Sequence, residues 1–176
     1  MAGLRKGNAM RAGFDDKQFR ATLGTFSTGV VVVSTLLDGS PEGMTIGAFT
    51  SVSLDPPLVA FLPAKSSTTW PKIRESGMFT INILAHDQQA ICGAFARTSD
   101  QKFDGINWHP SPHGTPHLAG ALAWLDCHIC NVFEAGDHDI VLGEVASLSR
   151  GEDKEPMVFF GGNFRTLAAL EQASAL

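Results

Sequence analysis

The chain has 176 residues, 44% of them hydrophobic and 18% charged, with a formal net charge of −5. That length suits one globular domain, and the acidic balance excludes a non-specific nucleic-acid binder. No apolar run approaches the ~18 residues of a membrane helix, and three cysteines are too few for a disulfide framework, which points to a reducing, cytoplasmic setting.

Residues 1–13 read as a loose tail and 14–176 as the single folded unit. The first eleven residues carry Arg5, Lys6 and Arg11 without an apolar core segment, so no secretory signal is expected. Asp15 or Asp16 can cap a short helix with Phe19, Leu23 and Phe26 on one face. Val30–Leu36 is β-branched and strand-forming, Asp38-Gly39 signals a hairpin, and a second strand covers about Gly43–Phe49. After Asp55-Pro56-Pro57, the nearly all-apolar Leu58–Leu62 is a third strand and a candidate for burial between subunits. Thr68-Thr69-Trp70-Pro71 opens a helix that stops at Gly77, and Met78–Leu84 returns to strand. A helix after His86-Asp87 places Ile91 and Phe95 together, and residues 98–120 form a long polar loop rich in proline and glycine. Ala123, Leu125, Cys127, Ile129 and Phe133 alternate as in a strand. Ile140–Leu148 and Met157–Phe160 are further strands, and Leu167–Ala173 can close the chain as a helix. At least seven strands with short helices between them predict a mainly β fold, a closed or nearly closed barrel.

Three stretches carry chemistry. In Gly43–Ser53, small residues and hydroxyls alternate, which suits a flat polar heterocycle with a polyol tail or an ordinary Ser/Thr-rich edge strand. Lys65-Ser66-Ser67-Thr68 runs into a helix start, where free N–H groups, hydroxyls and a lysine can hold a phosphate; a plain helix cap with a surface lysine reads the same way. Ala135–Asp139 holds His138 on a Gly-Asp turn, free to orient a ligand or simply exposed. Two further patterns read as non-functional. Cys127 and Cys130 sit three apart on a strand, face opposite ways and read as buried cysteines. Prolines among His109, His113 and His117 forbid the helix that would align them on a metal, which leaves a solvated loop; no metal site is expected.

The segments "AFTSVSLDPPLV", "FTINIL" and "EAGDHDIVLGEV", in that order, resemble the flavin reductase-like family over about residues 14–168. These are the small reductase components of two-component flavin-dependent monooxygenases. The resemblance implies a Greek-key-like split β-barrel with short flanking helices, a homodimer, binding of FAD or FMN, and hydride supply from NADH or NADPH. Carried over by position, Thr45, Ile46 and Ala48 would face the isoalloxazine, and Ser51 and Ser53 the ribityl and phosphate region. Lys65, Ser66, Ser67 and Thr68 would surround the phosphate. Asn82 would touch the flavin, Phe103 would lie near an FAD adenosine or the nicotinamide, and His138 would sit beside the nicotinamide. Phe160 and Phe164 depart from a family tail that often carries Tyr. The function implied is an NAD(P)H-dependent flavin reductase that feeds a partner monooxygenase; the alternative is a non-catalytic flavin-binding carrier. No G-x-G-x-x-G follows a strand, so a Rossmann domain is not expected.

Overall fold

The computed structural model describes residues 13–167. Its centre is a seven-stranded antiparallel sheet built from β2 (Val31–Leu37), β3 (Ser40–Ile46), β4 (Phe49–Leu54), β5 (Pro57–Phe61), β6 (Met78–Ile83), β9 (Ala123–Ala135) and β10 (His138–Arg150). The strand order is β3-β2-β6-β9-β10-β5-β4. The two edge strands, β3 and β4, are consecutive in the chain and separated only by Gly47-Ala48. The sheet must therefore curl until its edges meet, yet no ladder joins them, and the barrel is split at that seam. This is the split barrel expected from the sequence.

The valine run explains itself in β2. Val31 and Val33 point into the barrel with Phe61, Phe79, Ile81 and Val141, while Val30 and Val32 pack outside against Leu84, Phe95, Leu118 and Met157. Both faces are buried, so no polar alternation is possible. The turn to β3 uses Asp38 and Gly39, both at positive φ, which matches the right-handed twist of a two-residue hairpin.

The helices lie against this barrel. In α1 (Asp16–Leu23), Asp15 and Gln18 form a capping box. Its apolar stripe does not reach the core: Phe19, Leu23 and the following Phe26 are exposed. α2 (Trp70–Ser76) buries Trp70 and Ile73, and Gly77 ends it in a left-handed cap. α3 (Gln89–Ala96) buries Cys92 and Phe95 in the outer cluster. The small sheet of β1 (Thr28–Gly29), β11 (Val158–Phe160) and β12 (Asn163–Arg165) closes the described chain. The helix expected at Leu167–Ala173 falls outside the described residues but for Leu167.

Other sequence expectations are corrected. The stretch read as one strand at Gly43–Phe49 is the end of β3, the seam, and the start of β4. β5 is not left for a partner: Val59, Ala60 and Phe61 are buried within their own chain, and the edge beside it is β4. The polar loop contains a hairpin, β7 (Trp108–Pro110) with β8 (Pro116–Leu118). His117 on β8 is buried, not solvated. Its Nε2 lies 2.8 Å from Asp126 Oδ1, and its ring stacks on Trp124 at 5.4 Å. Cys127 is buried and its thiol is pushed up to about 12, chiefly by desolvation, whereas Cys130 is exposed on the other face.

Candidate functional site

Two concavities flank the seam. The first, about 220 Å³, is lined by Met44 and Thr45 of β3, the segment Ala64 and Ser66–Thr68, the end of α3 at Phe95–Ala96, and then Arg97, Thr98 and Lys102. Two cations and several hydroxyls converge there, with no carboxylate among the lining residues, which is the donor set a phosphate requires. Lys102 is buried. Its Nζ donates to Gly43 O at 3.1 Å and Thr69 Oγ1 at 2.9 Å, and burial lowers its pKa from the ordinary 10.5.

The hydroxyls are set by local structure. Ser67 Oγ accepts from the backbone N–H of Thr69 and Trp70, each at 3.2 Å, and its own hydrogen has only the sulfur of Met44, 3.8 Å away. Of the N–H groups expected at this helix start, that of Trp70 is therefore already taken by the serine and Pro71 has none, which shifts anion recognition toward side chains. Thr45 Oγ1 donates to Cys92 O at 2.8 Å, which leaves its lone pairs for the pocket.

The second concavity, about 630 Å³, is lined by Ala48, Leu62, Ala135, Asp137 and His138, with Asp16, Phe19, Arg20 and Leu23 of α1 as its outer wall. Gly136, at φ +68°, makes the tight β9–β10 turn that projects His138. His138 Nδ1 lies 2.8 Å from Asp137 Oδ1. That contact holds the Asp137 carboxyl below its usual value and fixes one ring nitrogen, so Nε2 is the one left for a ligand. The strip Thr45–Ala48 leads from one concavity to the other. Ile46 is buried in the barrel core, so only its backbone can meet a ligand.

Of the residues singled out in the sequence, Thr45, Ser66, Ser67 and Thr68 gather in the smaller concavity, and Ala48 and His138 in the larger. The remaining candidates are placed elsewhere or face away. The Lys65 Nζ lies 3.7 Å from both Glu134 Oε2 and Asp139 Oδ1, in a separate cleft. Asn82 is fully buried; it donates to Val32 O and Ser34 Oγ and accepts from the N–H of Leu118, which makes it an internal clasp with no atom spare. Phe103 packs edge-on against Phe95, centroids 4.8 Å apart. Ser51 and Ser53 lie on the open strand β4, outside both concavities. Sequence reasoning missed Arg20, Arg97 and Lys102. Lone cations in polar segments carry no periodicity, and only Lys102 had a pointer, its place beside Phe103.

Among the described residues, no group of three or more His, Cys, Asp or Glu is placed to hold a metal ion, and no helix is long and apolar enough to cross a membrane.

The chain is similar to known proteins over most of its length. A family model described as "Flavin reductase like domain" matches residues 23–168. The chain is 44% identical over 162 residues to a flavin reductase of Pseudomonas putida, covering 92% of this chain and 95% of that protein. It is 43% identical over 150 residues to the reductase subunit HsaB of a flavin-dependent monooxygenase of Rhodococcus jostii, covering 85% of this chain and 77% of the other. Among solved structures, the NADH:FAD oxidoreductase SgcE6 of Streptomyces globisporus superposes with a TM-score of 0.84 at 38% identity, over 89% of this chain and 95% of that one.

Proposed function

The chain belongs to the flavin reductase-like family, and from that premise we propose that it is an NAD(P)H-dependent flavin reductase supplying reduced flavin to a separate monooxygenase. The observation that carries the reading is the pair of concavities joined by Thr45–Ala48: a carboxylate-free cationic pocket at one end and His138 at the other.

The flavin, when bound, accepts the hydride; that chemistry belongs to the two nucleotides, and the protein supplies binding, orientation and exclusion of water. Arg97, Lys102 and the hydroxyls of Ser66, Ser67 and Thr68 hold the phosphate. The backbone of Ile46 and the small side chain of Ala48 let a flat ring approach the seam. His138, steadied by Asp137, orients the nicotinamide, and the Arg20 guanidinium lines the same concavity. No nucleophile is needed. Anaerobic mixing of the protein with FMN or FAD and NADH or NADPH tests the reading: bleaching of flavin absorbance at catalytic protein concentration is expected. Flavin binding without bleaching would leave a carrier instead.

His138→Ala is expected to raise the KM for NADH and to slow hydride transfer by roughly ten- to hundredfold, since misorientation by about an ångström costs that much. Flavin affinity should change little. Stopped-flow reduction alongside equilibrium flavin titration separates the two; lost flavin affinity with unchanged NADH kinetics would move the histidine to the flavin.

The open edge β4 exposes Val52 and Leu54, the latter 95% accessible, and the same sheet exposes Phe133 and Leu148. An apolar edge of this kind is covered in most native proteins. The proposal includes a homodimer formed over it, and light scattering at micromolar concentration should give twice the chain mass. A monodisperse monomer that binds flavin tightly would refute it.

A further inference from the structure

A buried contact outside both concavities ties them together. Asp139 follows His138 directly, and its side chain is 7% exposed. Its Oδ2 accepts a 2.8 Å hydrogen bond from Trp70 Nε1, and Oδ1 faces the Lys65 ammonium at 3.7 Å. Lys65 and Trp70 bracket the segment that carries Ser66, Ser67 and Thr68, so one carboxylate reaches both ends of it. The backbone joins the same two pieces. The N–H of Lys65 donates to Asp137 O at 2.9 Å, that of Asp139 donates to Pro63 O at 3.0 Å, and Ala64 bridges His138. On the far side of Trp70, the neighbouring Thr69 accepts from Lys102 Nζ. A continuous chain of contacts therefore runs from His138 through Asp139, Trp70 and Thr69 to Lys102.

We propose that Asp139 and Trp70 form a positioning pair that fixes the phosphate-binding segment against the His138 turn and so sets the span between the two ends of the site. The inference rests on the flavin reductase reading above. Neither residue lines the cationic pocket or the His138 concavity. Their effect is transmitted through Ser67, whose hydroxyl takes the Trp70 N–H, and through Thr69, which holds Lys102. Trp70 also fills core space edge-on to Phe61, centroids 5.9 Å apart; a phenylalanine keeps an aromatic ring there but loses part of that packing. Changes at Asp139, which leave the indole in place, separate the N–H bond from the packing.

The test uses the full-length protein with Trp70→Phe, Asp139→Ala and the conservative Asp139→Asn, whose amide oxygen still accepts from the indole. Dissociation constants for FMN and for riboflavin, which lacks the phosphate, are measured together with KM and kcat for NADH. Trp70→Phe and Asp139→Ala should each lower the preference for FMN over riboflavin by roughly tenfold and raise the KM for NADH by a similar factor, as a displaced binding group does. Asp139→Asn should retain most of both. The double variant Trp70→Phe/Asp139→Ala should be little worse than either single change, because each removes the same bond. If Trp70→Phe melts earlier yet keeps its FMN preference and its KM, the contact is structural only and the proposal fails; should that variant not fold, Asp139→Ala decides by the same two readouts. A wild-type protein that does not bleach flavin would overturn the functional reading itself, and the riboflavin comparison would still report on the pair through binding alone.

Discussion

Asp126→Ala is expected to destabilise the protein by about 3–5 kcal/mol, the usual consequence of removing one partner from a buried ionic cluster. Asp126 is 1% exposed on β9 and is the acceptor at the centre of a network drawn from three other strands and the hairpin loop. Ser147 Oγ donates to its Oδ2 at 2.6 Å; Thr80 Oγ1 donates to Oδ1 at 2.6 Å, and His117 Nε2 lies 2.8 Å from the same oxygen. Thr115 Oγ1 sits 2.6 Å from Thr80 Oγ1 and 2.9 Å from Ser111 Oγ, which extends the chain into the β7–β8 turn. Desolvation is the largest single influence on the carboxyl and opposes ionisation, but the hydrogen bonds from Ser147, Thr80 and His117 together outweigh it, and its pKa lies below the ordinary 3.8. Stability from Asp126 is therefore fully present above about 4 and is lost as pH falls through its lowered folded value. Urea unfolding at neutral pH should show a lower midpoint at unchanged m-value, and the variant should have a weaker acid dependence than the parent. An unfolding free energy within ~0.5 kcal/mol of wild type would mean that the hydroxyls and His117 find water instead.

The same network shows where reading from sequence stops. Strands follow from local signals: the valine run, Asp38-Gly39 and the alternation in β9 are short-range patterns, and the barrel follows from counting them. Asp126 and His117, nine apart in a segment read as loop and strand, carry no such signal, because their meeting depends on the β7–β8 hairpin folding back onto β6 and β9. Asn82 fails for a related reason. A buried asparagine in "FTINIL" looks the same whether it binds a ligand or clasps Val32, Ser34 and Leu118. At the site, Ser66-Ser67-Thr68 was legible because the hydroxyls are contiguous. The cations were not. Lys65 is next in the chain but turns toward Glu134 and Asp139, while Lys102 enters the pocket from a distant loop because Gly43 O and Thr69 Oγ1 await its ammonium.

That exchange of lysines makes the second large prediction. Lys102→Met with Ser67→Ala should weaken FMN and FAD binding by roughly ten- to hundredfold, the equivalent of one charge-assisted hydrogen bond at about 1.5–3 kcal/mol. Riboflavin binding should be nearly unaffected. Lys65→Met, by contrast, should leave the discrimination against riboflavin largely intact, since its Nζ does not line the pocket. The buried ammonium adds a pH signature. Burial favours neutral Lys102 in the unliganded fold, so that fold gains stability as pH rises from the lowered value toward 10.5, where the unfolded chain still holds the proton. A bound phosphate favours the charged form. FMN affinity should therefore fall as pH climbs through the lowered Lys102 value, faster than riboflavin affinity does, and Lys102→Met should abolish the difference. Parallel titrations of the two flavins across the alkaline range measure it. Identical pH profiles for FMN and riboflavin in the wild type, or an FMN preference that survives Lys102→Met/Ser67→Ala and disappears with Lys65→Met, would return the phosphate to Lys65 and require its side chain to swing away from Glu134 and Asp139.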